Sequence, residues 1–194
     1  NVYPLFANAL RKEENKSAKT HLKECSDLFS EFSKIAADNP LSWFPTYRSS
    51  EEISEVTPDN RMIGFPYTKY LNSIIRVNMS SAFILVSQKK ADELNIPNSK
   101  RIYVHGCSIL DDIWNVTERP NFHSSPAIKK CVTQTLDEAE ISLSDIKYFD
   151  LYSCFPSAVQ IAKKELGIPK EKKDLTVTGG LPYFGGPGNS YTMF

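Results

Sequence analysis

An α/β fold, with a mixed sheet covered by helices, is predicted by three features of this sequence. Short runs rich in β-branched and aromatic residues alternate with helix-period stretches. The helices carry legible start and stop signals. A glycine-rich loop directly follows the last β-rich run, and sheets of this class place their ligands outside strand ends.

The elements follow in order. From Leu22 the apolar residues Cys25, Leu28, Phe29, Phe32, Ile35 and Ala36 recur at helical spacing as far as Asp38-Asn39-Pro40, with Trp43, Phe44 and Tyr47 expected to cover the helix exit. Arg11 to Lys23 is mostly charged, so residues 1–57 read as a helical lobe packed by one face, against the alternative of a plain surface helix pair. Residues 57–72 hold two prolines and a glycine without periodicity and read as an ordered linker, and 58–194 as that linker plus a sheet domain. Strands are expected at 83–86, 101–105, 147–151 and 175–178. Between them, Ser87 opens a short helix. Ser124-Ser125-Pro126 caps a second helix with the stripe Ile128, Cys131, Val132, Leu136 and Ala139. A turn over 142–146 precedes the third strand, and a third helix, Pro156 to Leu166, ends at Gly167.

Composition narrows the function. The 194 residues are 41% hydrophobic, enough to bury a core, and 23 basic residues balance 23 acidic ones. No overall field attracts nucleic acid or an anionic membrane, so an anionic ligand needs local donors. The longest apolar runs fall far short of the roughly 20 residues that cross a bilayer, and residues 1–30 hold no signal-peptide core, so an intracellular, cytoplasmic protein is expected. Four cysteines without CxxC spacing point to reduced thiols, and the three sequons read as chance. Asp111-Asp112 has no third ligand at metal spacing, so no metal site is expected.

Two strand-end segments carry the candidate chemistry. Five of eight glycines fall within TGGLPYFGGPGNS, whose backbone can approach a ligand closely and turn amides toward an oxyanion. The competing reading is a glycine turn required only for packing. The loop has neither the GK[ST] of a P-loop nor a dinucleotide fingerprint. At the other strand end, Tyr152 is a candidate hydrogen-bond donor and Cys154 a candidate nucleophile, against a small buried filler. His123 precedes a helix start, where free amides attract anions; alternatively it bonds only to nearby backbone.

Taken together, SPAIKKCVTQTLDEAEISLSDIKYFDLYSCFPSAVQIAKKEL followed by LTVTGGLPYFGGPGN resembles the C-terminal half of thiolases, closest to the divergent thiolase-like branch of acetyl-CoA acetyltransferases. DNRMIGFPYTK and HSSPAI extend the resemblance over nearly the whole chain. It implies a partial thiolase fold, with 1–57 as the helical part of an insertion lobe and 58–194 as linker and partial C-terminal thiolase domain. It also implies an acyl-CoA acyltransferase in the intact protein, with coenzyme A or acyl-CoA as substrate, no covalent cofactor and a homodimer through the thiolase core. The alternative is a non-catalytic member that binds acyl-CoA or a protein partner. The family's two reactive cysteines fall outside this chain, and Cys154 matches neither. Tyr152 stands where the family has the Asn of NEAF or the His of HDCF, and Gly186 where it has the His of GHP. Losing one oxyanion donor costs about 2.7–4 kcal/mol, so the Tyr152 hydroxyl, the amides of Gly185 and Gly186, or His123 are the expected substitutes. The loop residues Gly179, Gly180, Gly185, Gly186 and Asn189, and Ser73 and Arg76 in the segment leading back from the insertion, are the implied substrate contacts.

Overall fold

The computed structural model of the protein describes residues 2–194. Six helices lie in the order α1 (Tyr3–Glu13), α2 (Ala18–Asp38), α3 (Ser50–Ser54), α4 (Gln88–Glu93), α5 (Pro126–Glu138) and α6 (Pro156–Glu165). Between α3 and α4 a small antiparallel hairpin joins β1 (Met62–Gly64) to β2 (Tyr67–Thr68).

Helix α2 organises the core. Ser17 caps it, its hydroxyl accepting from the Thr20 amide at 3.1 Å, and Cys25, Leu28, Phe29, Phe32 and Ala36 bury one face. Phe29 and Phe32 stack with ring centroids 5.2 Å apart, and Tyr183 meets Phe29 edge-on at 6.4 Å. Val159 of α6, Ile168 and Leu175 close the same cluster, so one core joins residues on both sides of the 57/58 boundary. Helix α1 lies within the 1–57 stretch read as helical, although no stripe in the sequence singled out residues 3–13. Its signals are faint: Pro4 in the first turn and only Ala7 and Leu10 buried.

The segment read as a linker is a knot. Asn60 is 1% exposed, and its amide nitrogen donates to the carbonyls of Glu52, Ile53 and Glu55 while its oxygen accepts from the Tyr70 amide. Thr68 adds a bond from its hydroxyl to the Ile53 carbonyl at 2.7 Å. One side chain therefore ties the end of α3 to the turn after β2.

The helix signals hold at α4, α5 and α6, where Ser87 and Ser125 accept from the amides three residues on and Gly167 takes a positive φ of 65°. Three expectations need correction. The α5 stripe is half-exposed, with no fully buried residue. Trp43, Phe44 and Tyr47 do not cover the α2 exit; they are 43%, 39% and 55% exposed, while the Trp43 and Phe44 amides bond to the carbonyls of Phe184 and Tyr183. The largest difference concerns the sheet, because 83–86, 101–105, 147–151 and 175–178 form no ladder among the described residues. A single backbone bond, Leu151 amide to Leu175 carbonyl at 2.9 Å, links the last two runs. A strand is made by its neighbour's amides and carbonyls, and within these residues the other runs have no neighbour in register.

The runs are consequently exposed: Ile84 by 86%, Leu85 by 78%, Ile102 by 97% and Val104 by 72%. Consecutive apolar residues suit a strand buried on both faces. In isolation the chain is expected to self-associate at micromolar concentration, and a single 21.9 kDa species in sedimentation velocity would refute this.

Candidate functional site

The glycine loop is built around two contacts that only glycine permits. At Gly179 (φ 112°) a Cβ would lie 2.6 Å from the Ala36 Cα and 2.7 Å from the Ala36 nitrogen, so the loop rests directly on the last turn of α2. At Gly186 it would lie 2.6 Å from the Ser73 Oγ and 2.9 Å from the Ile74 carbonyl oxygen. The loop is held between two extended stretches. Residues 43–44 bond to the carbonyls of 183–184 on one side. On the other, the Ile74 amide donates to the Leu181 carbonyl at 3.3 Å and the Gly186 amide to the Ile74 carbonyl at 2.8 Å.

A polar knot, centred on the solvent-exposed Asp150, supports the loop. The Asp150 carboxylate accepts from the Val177 amide at 2.9 Å, the Thr176 hydroxyl at 3.1 Å and the Tyr191 hydroxyl at 2.9 Å. The threonine hydroxyls then accept from the loop, Thr176 from the Gly179 amide at 3.1 Å and Thr178 from the Gly180 amide at 3.3 Å, while Ser153 accepts from the Leu181 amide at 3.0 Å. Burial, helped by the Asp150 charge, raises the Tyr191 hydroxyl above its ordinary value, so it remains a donor to the carboxylate.

These bonds turn most of the loop's amides inward. Of the four glycine amides expected to serve a ligand, those of 179, 180 and 186 are engaged by protein acceptors, and only that of Gly185 has no partner among the described residues. The observed geometry is thus that of the packing alternative at three of the four.

A cavity of about 330 Å³ remains between this loop, Tyr152 and residues 73–79. Its walls are Ser73, Ile75, Val77 and Met79 from the extended segment, Leu181 and the stretch 186–188 from the loop, and Tyr152. No charged side chain lines it. Every second residue of this segment, 73, 75, 77 and 79, borders the cavity, although Ile75 is itself 76% exposed, and Arg76 between them is exposed to solvent and is not one of its walls. Tyr152 is 45% exposed and packs edge-on against Tyr191 at 5.8 Å. Partial burial, with a contribution from Cys154, raises its hydroxyl above the ordinary value, which keeps it protonated and able to donate.

The remaining candidates stand apart. Cys154 packs against the cluster of Leu181, Phe184 and Tyr191, and burial pushes its thiol up, outweighing the hydrogen bond from Tyr3. Such a thiol stays protonated at neutral pH and is a poor nucleophile. His123 faces helix α1, its Nε2 3.7 Å from the Glu13 carboxylate, and does not line the cavity. Asn189 is exposed and its carbonyl accepts from the Thr192 hydroxyl. The structure therefore gathers Ser73, Tyr152 and Gly186 around one space. The apolar wall has a signal in the sequence, where Ile75, Val77 and Met79 alternate with Arg76 and Asn78.

Compared with known proteins, the chain matches no protein-family model and no curated protein. Among solved structures it superposes on a monomeric SCP2-thiolase-like protein type 1 from Mycobacterium smegmatis with a TM-score of 0.87 and 36% sequence identity. The fold is thiolase-like. The match takes in 98% of this chain and 42% of that protein, so the chain spans less than half of its relative's length. Within this thiolase-like fold the glycine loop and Tyr152 border one cavity. No helix among the described residues is long and apolar enough to cross a membrane.

Proposed function

We propose that the cavity under the glycine loop receives the acyl thioester end of an acyl-CoA, in a protein performing thiolase-type acyl transfer. The observation that carries this reading is the lining: five apolar side chains and no charge, with the Tyr152 hydroxyl and the Ser73 hydroxyl as its polar side-chain groups. A neutral thioester and a short acyl chain match such a surface, whereas a phosphate does not. The ligand's phosphates would lie outside it. Tyr152, kept protonated, donates to the thioester carbonyl oxygen in the place where the family uses an amide or imidazole donor. Acyl transfer needs a nucleophile, and the Cys154 thiol, kept protonated by burial, is a poor one, so that group comes from outside these residues.

A second reading, acyl-CoA binding without turnover, is favoured by one feature. The Gly186 amide is bonded to the Ile74 carbonyl and Gly186 supplies no imidazole, so the oxyanion site has fewer donors than acyl transfer ordinarily uses.

Calorimetric titration with acetoacetyl-CoA, followed by a thiolysis assay, both on the intact protein that includes the nucleophile, separates the two. Saturable binding that Val77→Asp abolishes is expected, and its absence in the wild-type protein would sink both. Under the acyl-transfer reading, Tyr152→Phe lowers kcat by about 100-fold and leaves KM within about threefold. Under the binding reading there is no thiolysis, and Tyr152→Phe weakens binding by about tenfold.

A further inference from the structure

Away from the thioester cavity, a groove of about 520 Å³ runs between α1 and α2 on one side and α6 with the turn after it on the other. Its size lies within the range of small-molecule sites. One wall carries the carboxylates of Glu13, Glu14, Glu24 and Asp27 with the Lys16 ammonium among them; the other carries the ammonium groups of Lys163, Lys164, Lys170 and Lys173, and Leu28 and Ile168 supply apolar surface.

Opposite charges this close would ordinarily pair, and here they do not. Lys16 holds Glu14 and Glu24, and Lys23 holds Asp27, all within the acidic wall. On the basic wall the Lys163 ammonium donates to the backbone carbonyls of Lys170 at 2.6 Å and Lys172 at 2.5 Å. Among the described residues no ion pair crosses the groove, and Lys164, Lys170 and Lys173 have no carboxylate partner. The walls nonetheless feel each other. Burial works to raise the Glu14 carboxyl, but Lys16, with the fields of Lys170 and Lys164, holds it below its ordinary value. Asp27 is likewise lowered against burial by Ser50 and Lys23, with a contribution from Lys173.

An anion alone would meet the carboxylates, and a cation alone the lysines. A ligand bearing both charges satisfies the two walls at once and displaces the water between them. We propose that this groove is a second ligand site, for a zwitterion of the amino-acid or short-peptide class, with its ammonium against Glu14, Glu24 and Asp27 and its carboxylates against the lysine wall. The lysine wall has three uncommitted ammonium groups, while Glu14, Glu24 and Asp27 opposite each already have a lysine partner. A ligand with more carboxylates than amines therefore fits best. The site is independent of the thioester cavity and of whether acyl transfer occurs.

The test titrates the protein with the dipeptide alanyl-glutamate, which has one ammonium and two carboxylates, by isothermal calorimetry at low salt. Saturable binding with a Kd below about 1 mM is expected, weakened at least about tenfold when the amino group is acetylated and when Lys170→Glu and Lys173→Glu are combined. Both lysines are exposed, so the variant is expected to keep the wild-type circular dichroism; Lys170→Gln with Lys173→Gln serves as the milder pair, with a smaller loss. Absence of saturation up to about 10 mM dipeptide would overturn the proposal. So would equal affinity for the acetylated form, which would make the groove a plain anion site, or unchanged affinity in both lysine variants.

Discussion

Replacing Gly179 by alanine is expected to cost about 3–5 kcal/mol of stability, a large share of the 5–15 kcal/mol that holds a typical domain. Two effects add. The residue sits at φ 112°, where an L side chain strains the backbone, and its new methyl would lie 2.4 Å from the Ala36 Cβ and within 2.7 Å of that residue's backbone nitrogen. The end of a flexible side chain could swing away, but helix α2 cannot, so the loop must lift off the helix. Gly167→Ala is the matched control: it also has positive φ, 65°, but a Cβ there meets nothing within 4 Å, so only the conformational cost of about 1 kcal/mol remains. Urea unfolding of both variants measures the difference. Equal losses would mean that the loop does not rest on α2. Because Gly179 lies on the chain leading to Leu181 and Gly186, its substitution is also expected to weaken any ligand held in the cavity.

Asn60→Ala is expected to be comparably damaging, by about 3–5 kcal/mol, although Asn60 lies in a stretch with little regular structure. The substitution removes the donor for three carbonyls, at 3.0, 3.0 and 2.7 Å, and the acceptor for the Tyr70 amide at 2.9 Å, at a position 1% exposed. Water cannot easily replace four partners there. Asn60→Asp keeps the shape and the acceptor but sets a negative oxygen against the three carbonyls, so it is expected to be at least as destabilising at neutral pH. Asn189→Ala, at an exposed position, provides the comparison and should stay within about 0.5 kcal/mol. A thermal melt series showing Asn60→Ala no worse than Asn189→Ala would remove Asn60 from its place as the tie between α3 and the hairpin.

Both substitutions bear on how far the sequence could be read. Capped helices were legible because their signals are local: Ser87, Ser125 and Gly167 each act within three or four residues of themselves. Asn60 was not, since its partners lie on both sides of it in the chain, from Glu52 to Tyr70, and no spacing rule singles out an asparagine for that task. The glycine loop shows the intermediate case. Its composition announced close backbone approach, yet whether the approaching body was a ligand or a helix depended on Ala36 and Ser73, 143 and 113 positions away in sequence. Cys154 and His123 follow the same logic, for a thiol's activation and an imidazole's neighbours are set by what packs over them.

Local chemistry therefore sufficed for the helix ends, whereas the thiolase-like fold was implied by the resemblance of the segments around Tyr152 and the glycine loop to a known family. Tertiary contacts alone decided three other matters. They engaged the amides of Gly179, Gly180 and Gly186 with protein acceptors, placed Ile75, Val77 and Met79 along an uncharged cavity, and left the runs at 83–86 and 101–105 without a ladder partner among the described residues. The physical reason is common to all three. A hydrogen-bond donor or an apolar side chain has a fixed appetite written in its residue type, but which partner meets it is a property of the surfaces that folding brings together.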